Sequence, residues 1–360
     1  MRLHLPCRAH HLARDRRPRA DLVAVCAVTA VALAGCGSSS PRRGSSQTST
    51  ATAAVASTRA SATGSTPSAP LAAAERPVRA SFPAPRGRTL RQLSRLAGAS
   101  VALGAATGSF TPGTRRFAFA LTDSAGRFQY APTALYIARS PDATAQGPFL
   151  APADPMGVAP RYRSEENTGP GGIQAIYATQ LPLPHVGTYS LLALTHTSRG
   201  TIGAPGELAV AAASPIPNVG QRPPAIATDT AASVHGDSSL LTTRKPPEQM
   251  ASVSLRQALG RRPVALLFST PQLCTSKVCG PVTDVAVSLQ HAFSGRITFI
   301  HQEVYVNNNP RRGLRPALQA FHLRTEPWLF AINRRGIIVA RLEGAFGVNE
   351  LRAALQAALR

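Results

Sequence analysis

The sequence predicts a mixed fold, in which an antiparallel β-sandwich over residues 88–214 precedes an α/β domain over residues 215–360. Two observations support this. Apolar residues alternate with polar or small ones in several short runs of the first region, as Phe117, Phe119 and Leu121 do. In the second region, short apolar runs alternate with segments of helical periodicity. A chain of 360 residues has room for two domains of ordinary size.

The first 35 residues have the pattern of an export leader. Arginines are frequent up to residue 19, and an apolar run over 22–34 is too short to span a bilayer as a mature helix. The run ends in Leu-Ala-Gly-Cys at 33–36, which resembles the lipobox of bacterial lipoproteins. That resemblance implies a signal peptide over 1–35, a lipid on Cys36 and attachment to the outer face of the cell membrane. An ordinary signal peptide or an anchor helix is the alternative.

Residues 36–87 consist mainly of Ser, Thr, Ala, Pro and Gly, a composition typical of a disordered tether. The chain has a formal net charge of +22, carried almost entirely by arginine. Such a charge favours an anionic membrane surface or cell-wall polymer as a neighbour. Nucleic acid is not expected as a partner, because aromatic residues are few and the arginines are scattered.

The region 88–214 carries turn signals between its alternating runs, notably Gly-Pro-Gly-Gly at 169–172. The sequence Val-Gly-Thr-Tyr at 186–189, followed by alternating apolar residues, resembles the tyrosine corner of immunoglobulin-like domains. The resemblance implies an immunoglobulin-like sandwich. No group of chemically active side chains clusters in this region, so we expect a spacer or a module that binds a partner.

The chain has five cysteines. Two lie in the predicted leader and one at the lipidation position, which leaves Cys274 and Cys279 as a pair in an oxidising compartment. The pair follows the apolar run 264–268 and precedes a helical pattern. A strand, a loop and a helix in this order bring a thiol to a helix N-terminus, where a thiolate is stabilised. The two thiols could therefore cycle between dithiol and disulfide, although a structural disulfide is the alternative.

Periodicity predicts the remaining elements of the C-terminal region. They are a strand at 264–268, a helix at 282–293, a strand at 297–300, a helix at 314–321, a hairpin with strands at 328–332 and 337–342, and a last helix at 351–359. Asn349 is the expected N-cap of the last helix. The segment therefore alternates as β-α-β-α-β-β-α.

Three segments, at 218–224, 321–329 and 343–346, resemble the redoxin entry segment, the cis-proline loop and the loop before the last helix of thioredoxins. The resemblance implies a thioredoxin-like fold, a cis Pro327 beside the cysteines and an extracytoplasmic thiol-disulfide oxidoreductase without a cofactor. Its substrates would be protein thiols and disulfides, and its redox partner is not implied. Cys274 would attack the substrate disulfide and Cys279 would resolve the mixed disulfide.

The pair also departs from the thioredoxin pattern. Four residues separate the cysteines where thioredoxins have two, so a bond between them requires Cys274 in a loop or an unwound first turn. Leu273 stands where thioredoxins have tryptophan, and no carboxylate precedes the motif. Glu326 is a candidate replacement base, and Lys277 is a candidate for lowering the pKa of the thiol.

Two alternatives stay open. The sequence Cys-Thr-Ser-Lys-Val-Cys-Gly at 274–280 also resembles atypical two-cysteine peroxiredoxins, in which the first cysteine attacks peroxide. Those enzymes need a hydroxyl three residues before that cysteine, whereas Thr270 lies four before it. A copper chaperone of the Sco type would need two cysteines and a distant histidine, for which His301 and His322 are candidates.

Overall fold

The computed structural model describes residues 68–167 and 172–360, and these belong to one compact unit. The predicted leader and the lipidation site Cys36 lie outside the described residues. The helices are α1 Ala69–Ala74, α2 Leu90–Ser94, α3 Leu255–Ala258, α4 Cys279–Ala292, α5 Pro316–Ala320 and α6 Val348–Ala358. The strands of the N-terminal part are β1 Ala99–Ser100, β2 Ala102–Ala105, β3 Gly113–Thr122, β4 Thr133–Ala138, β5 Gln146–Leu150, β6 Ala153–Pro155, β7 Ala175–Leu183, β8 Gly187–Thr197 and β9 Gly200–Val210. Those of the C-terminal part are β10 Val264–Phe268, β11 Thr298–Gln302, β12 Trp328–Ile332 and β13 Ile338–Glu343.

The nine N-terminal strands form two sheets. One has the order β1-β9-β8-β4-β5 and the other has the order β2-β3-β7-β6. Alternating side chains of β3 and β7, including Phe117, Phe119 and Tyr177, are fully buried in the core between them. Their aromatic rings stack at centroid distances of 5.3 and 5.5 Å. This part of the molecule is therefore held together chiefly by apolar burial.

The C-terminal strands form a third sheet of order β11-β10-β12-β13. Strands β10 and β11 are parallel, and the other two pairs are antiparallel. All five residues of β10 are buried, since its side chains face a core on both sides of the sheet. Ala265 and Leu267 contact the core formed with α4 and α6, whereas Leu266 and Phe268 contact the core that includes α3 and α5.

The structure corrects the predicted fold class. The described residues form one mixed α/β body of six helices and three sheets, in which strands predominate, and neither a thioredoxin fold nor an immunoglobulin-like sandwich is established. The five-stranded sheet is not purely antiparallel, because β1 pairs with β9 in parallel. Ala118 of β3 and Ile176 of β7 lie in the same apolar core as α4 and α6. Periodicity predicted the elements, but it does not specify which sheet a strand joins or which core it shares.

Two smaller expectations are also corrected. The tether expected over 36–87 ends earlier, since Leu71 and Ala74 of α1 are buried in the N-terminal core and Phe82 is buried nearby. Helix α6 has Gly347 as its N-cap in place of Asn349. Within 68–167 and 172–360, no helix is both long enough and apolar enough to cross a membrane.

Polar contacts join the N-terminal sheets to the C-terminal part. Arg116 of β3 binds both carboxylate oxygens of Glu350 at 2.7 Å, and its guanidinium also donates to the carbonyl of Glu343 at 2.7 Å. The carboxylate of Glu343 accepts from the backbone N–H groups of Gly108 and Ser109, each at 3.0 Å. These bonds are partly shielded from water, and they join strand β3 and the 108–109 segment to the start of α6 and the end of β13.

Candidate active site

The candidate site lies at one edge of the third sheet, where β10 ends and β12 begins. The two strands are antiparallel, and Phe268 pairs with Trp328. The residues that follow Phe268 therefore lie beside Pro327, which precedes Trp328. Strand β11 is parallel to β10 and ends at the same edge, with Gln302 opposite Phe268. The topology thus brings three separate loops of the sequence to one place.

The two cysteines occupy the loop after β10 and the first position of α4. A turn over 274–277 is closed by a hydrogen bond of 3.2 Å from the Lys277 N–H to the Cys274 carbonyl. Lys277 has a φ of 56°, which is the left-handed conformation. Cys279 is the first residue of α4, so the loop position of Cys274 meets the requirement that the four-residue spacing imposes. Both thiols are free; Cys274 is 7% exposed and Cys279 is fully buried.

The two thiols have opposite electrostatic properties. The hydrogen bond from the Cys279 thiol is the largest influence on Cys274, and with bonds from the Ser276 hydroxyl and the N–H groups of Val278 and Cys279 it lowers the pKa of Cys274 to about 6. The Ser276 Oγ lies 3.1 Å from the Cys274 Sγ. Burial, followed by the neighbouring Cys274 sulfur, raises the pKa of Cys279 well above its ordinary range. These opposite shifts favour a thiolate at Cys274 and a thiol at Cys279.

Pro327 and Glu326 lie at the same edge. The Glu326–Pro327 peptide bond is cis, and Pro327 is buried. Burial, together with the charge of Cys274, raises the pKa of the half-buried Glu326 carboxyl. Burial also raises the pKa of Tyr305, and the charges of Glu326 and both cysteines add to that effect. Tyr305 follows β11 and was not predicted from the sequence.

A loop from the N-terminal part forms a wall beside the motif. The Glu166 carboxylate accepts from the Gln272 side chain at 2.9 Å and from the Lys245 N–H at 3.1 Å. The Glu166 backbone lies so close to Gly280, the second residue of α4, that an added Cβ would be 2.9 Å from its carbonyl oxygen. Gly280 is therefore needed for the close approach of this loop to the first turn of α4.

A buried ion pair anchors that loop. Arg244 donates to Asp284 of α4 at 3.0 Å, and both side chains are almost completely inaccessible to solvent. The same carboxylate accepts from the Ser164 N–H at 3.0 Å and from the Asn167 side chain at 3.2 Å. Burial raises the pKa of Asp284, and the bond from Ser164 and the charge of Arg244 oppose that effect. The loop over 164–167 is thus fixed to the helix that carries Cys279.

The remaining predicted residues take different positions. Thr270 is buried behind the motif, and its hydroxyl has no hydrogen-bond partner among the described residues. Lys277 is exposed, and the principal contributions to the lowered pKa of Cys274 come from hydrogen bonds. His301 is buried with both ring nitrogens in hydrogen bonds to Glu248 and Ser269. His322 is exposed. Among the described residues, no group of three or more His, Cys, Asp or Glu side chains could hold a metal ion.

The chain was compared with known protein families and with curated proteins. Neither a family model nor a curated protein matches it significantly. The class of site is therefore defined by its own geometry, which is an asymmetric pair of adjacent thiols at a sheet edge, next to a cis-proline and a half-buried carboxyl group.

Proposed function

We propose that the protein is a thiol-disulfide oxidoreductase that uses Cys274 and Cys279. The observation that carries the proposal is the opposite pKa shift of two adjacent free thiols, one lowered to about 6 and the other raised. A pair that only closed a structural disulfide has no need for this difference. Exchange chemistry needs it, since one sulfur must attack as a thiolate while the other stays protonated until its turn.

In the first step, the Cys274 thiolate attacks one sulfur of a substrate disulfide. A bond forms between Cys274 and that sulfur, the substrate S–S bond breaks, and the other substrate sulfur leaves as a thiolate. Cys274 is 7% exposed and Cys279 is fully buried, and the more accessible residue of the two is the one that a substrate can contact. Pro327, at the same sheet edge, would contact an extended substrate segment through its backbone.

In the second step, Cys279 loses its proton and attacks the Cys274 sulfur. The substrate is released as its second thiolate, so the substrate gains two electrons and the protein is left with a Cys274–Cys279 disulfide. Glu326 would accept the proton. Burial and the Cys274 charge raise its pKa, and once the mixed disulfide has formed the Cys274 charge is gone, so the Glu326 carboxyl group loses its own proton more readily and is available as a base. We expect Glu326→Gln to slow this step without slowing the first attack.

The setting follows from sequence features that lie outside the described residues. A leader over 1–35 and lipidation of Cys36 would place the protein on the outer face of the cell membrane, where disulfides persist. Its partners would be protein thiols and disulfides, the membrane would be contacted through the lipid, and no cofactor or nucleic acid is needed for the reaction. An additional redox partner would return the pair to its starting state.

Turnover of insulin disulfides by the purified protein tests the proposal. We expect Cys274→Ser to abolish insulin reduction in the presence of a small dithiol, and Cys279→Ser to form a mixed disulfide with the substrate that is not resolved. Cys274→Ser and Cys279→Ser are matched controls for each other, because each removes one sulfur of the pair. Unchanged reduction by Cys274→Ser would overturn the proposal.

Peroxide reduction is a second candidate, favoured by Thr270. Its buried hydroxyl has no partner, and its backbone N–H contacts the Cys279 sulfur. In this reaction the Cys274 thiolate would attack peroxide, become a sulfenic acid with release of water, and then form a disulfide with Cys279 and release a second water. Consumption of hydrogen peroxide that exceeds insulin reduction and is lost in Thr270→Val would favour the peroxidase; no consumption would eliminate it.

A further inference from the structure

A chain of hydrogen bonds runs from a buried ion pair to the backbone of Cys279. The Glu248 carboxylate lies 2.6 Å from His301 Nδ1, and His301 Nε2 lies 2.7 Å from the Ser269 Oγ. The Ser269 Oγ lies 2.9 Å from the Thr283 Oγ1, and the Thr283 hydroxyl donates to the Cys279 carbonyl at 2.7 Å. Three side chains thus connect the Glu248 carboxylate to the first residue of α4.

The number of hydrogens on each group determines which group donates in each of these hydrogen bonds. The single hydroxyl hydrogen of Thr283 is used at the Cys279 carbonyl, so Ser269 must donate to Thr283, and His301 must then donate to Ser269 through Nε2. The count therefore fixes Nε2 as a donor, and the Ser269 carbonyl also lies 3.1 Å from Nε2. Burial opposes a charge on His301, but the charge of Glu248 and its hydrogen bond at Nδ1, with smaller contributions, outweigh burial and raise the pKa of His301, while the pKa of Glu248 is lowered. These directions favour the shared proton on Nδ1, so that His301 is a cation and Glu248 an anion.

The four side chains of this hydrogen-bond series are shielded from solvent. Ser269 and Thr283 are fully buried, His301 is 2% exposed, and the Glu248 side chain is 3% exposed. An acid, a histidine and a serine in this order are also found in hydrolases, but there the serine must reach a substrate. Ser269 cannot do so, and its hydrogen is directed at Thr283. The only end of the chain that meets the candidate active site is the Cys279 carbonyl.

We propose that Glu248, His301, Ser269 and Thr283 form a positioning relay that holds the first turn of α4, so that the Cys279 thiol points at the Cys274 sulfur. This inference rests on the proposed function, because it assigns the relay to the same pair. The Thr283 hydroxyl reaches back four residues within α4 to a carbonyl that also accepts the helix bond, and such a bond sets the local bend of a helix. A small displacement of a reacting group is costly, so the bend of this turn matters for the position of Cys279. The relay residues touch no substrate and act only through Cys279.

A displacement of Cys279 would change the properties of both thiols. The bond from Cys279 is the largest influence that lowers the pKa of Cys274, so a displaced Cys279 weakens the nucleophile. The same displacement lengthens the path that Cys279 must cover in the second step. Loss of the relay should therefore raise the pKa of Cys274 and slow resolution of the mixed disulfide, whereas a residue that served only stability would change neither in the folded protein.

The test compares Thr283→Val with Thr283→Ser in the full chain. Valine has nearly the shape of threonine but no hydroxyl, and serine keeps the hydroxyl. We expect Thr283→Val to raise the pKa of Cys274, which is measured from the absorbance of the thiolate across a pH series. We also expect it to slow resolution of the mixed disulfide on the order of tenfold. Thr283→Ser should behave as the unmodified protein. Melting temperature and circular dichroism establish that each variant is folded.

Glu248→Gln provides a second route if Thr283→Val does not fold. Glutamine keeps the size of the side chain and removes the charge that holds His301 as a cation, so the pKa of Cys274 should rise in this variant as well. A Cys274 pKa equal to that of the unmodified protein in the folded variants would overturn the relay. The pKa measurement needs no substrate, so the relay is judged separately from the proposed exchange activity, which fails if the unmodified protein does not reduce insulin.

Discussion

The N-termini of α4 and α6 are used in different ways. Every helix begins with backbone N–H groups that have no partner within the helix. In α4 no side chain caps the first turn, and the N–H groups of Val278 and Cys279 point at the Cys274 sulfur. These donors stabilise a thiolate, which can form and disappear during a reaction. The first turn of α4 is thus available for chemistry.

The first turn of α6 is occupied by a carboxyl group from another part of the chain. The Asp154 carboxylate of β6 accepts from the N–H groups of Gly347, Asn349 and Glu350 at 3.0, 2.9 and 2.9 Å. Asp154 is 5% exposed. The same kind of donor group therefore binds a reactive sulfur at one helix and joins two parts of the structure at the other. The two helix N-termini differ in the partner of their N–H groups, which is a reactive sulfur at α4 and an unreactive carboxyl group at α6.

Replacing Asp154 should have the largest effect on stability. Asp154→Ala leaves three N–H groups without their acceptor, and we expect a loss of about 3 kcal/mol in the free energy of unfolding. Chemical denaturation measures this loss. The pKa of Cys274 should be unchanged in the folded variant, because α4 does not depend on this contact. A change of less than about 0.5 kcal/mol would contradict a structural role for Asp154.

The same carboxylate predicts a pH dependence. Burial outweighs the three hydrogen bonds and raises the pKa of Asp154 to about 6. A group whose pKa is higher in the folded state binds its proton more tightly there, so this contribution to stability declines as pH rises from the ordinary aspartate range through about 6. The decline should be absent in Asp154→Asn, which does not titrate. Urea midpoints across this pH range provide the measurement.

A smaller effect is expected at the first turn of α4. Gly280→Ala gains about 1 kcal/mol of helix propensity but forces a methyl group against Glu166, at a cost of about 2 kcal/mol. The net loss should be about 1 kcal/mol. Gly157→Ala is the control, because an added Cβ at Gly157 meets nothing within 4 Å. Equal stability of the two variants would show that the 164–167 loop is not packed as described.

Sequence patterns located much of the site and little of its surroundings. Cys274, Cys279, Glu326 and Pro327 were singled out from the sequence, and the structure brings them to one sheet edge. The elements of the C-terminal region were also predicted in the correct order, because periodicity is a local property. The fold class was wrong, because the shared core and the parallel pairing of β1 depend on contacts between distant segments.

The residues that were missed have the same explanation. Glu166 belongs to no sequence motif, and its carboxylate accepts a hydrogen bond from Gln272 beside the cysteines. Asp154 caps a helix that begins almost two hundred residues later. His301 was a candidate metal ligand in the sequence. The structure shows that hydrogen bonds to Glu248 and Ser269 occupy both of its ring nitrogens, which a sequence does not reveal. Tyr305 could have been found from the sequence. It closely follows a predicted strand, and that strand ends at the same sheet edge as the cysteine pair.

The central claim is that Cys274 is the thiolate of the pair and Cys279 the protected thiol. Alkylation of the reduced protein across a pH series, with the modified cysteine identified by peptide mass, tests this most directly. The account predicts that Cys274 alone is modified at neutral pH, with a rate that rises through about pH 6 and then levels off. Preferential modification of Cys279, or a rate for Cys274 that keeps rising as for an ordinary thiol, would contradict it.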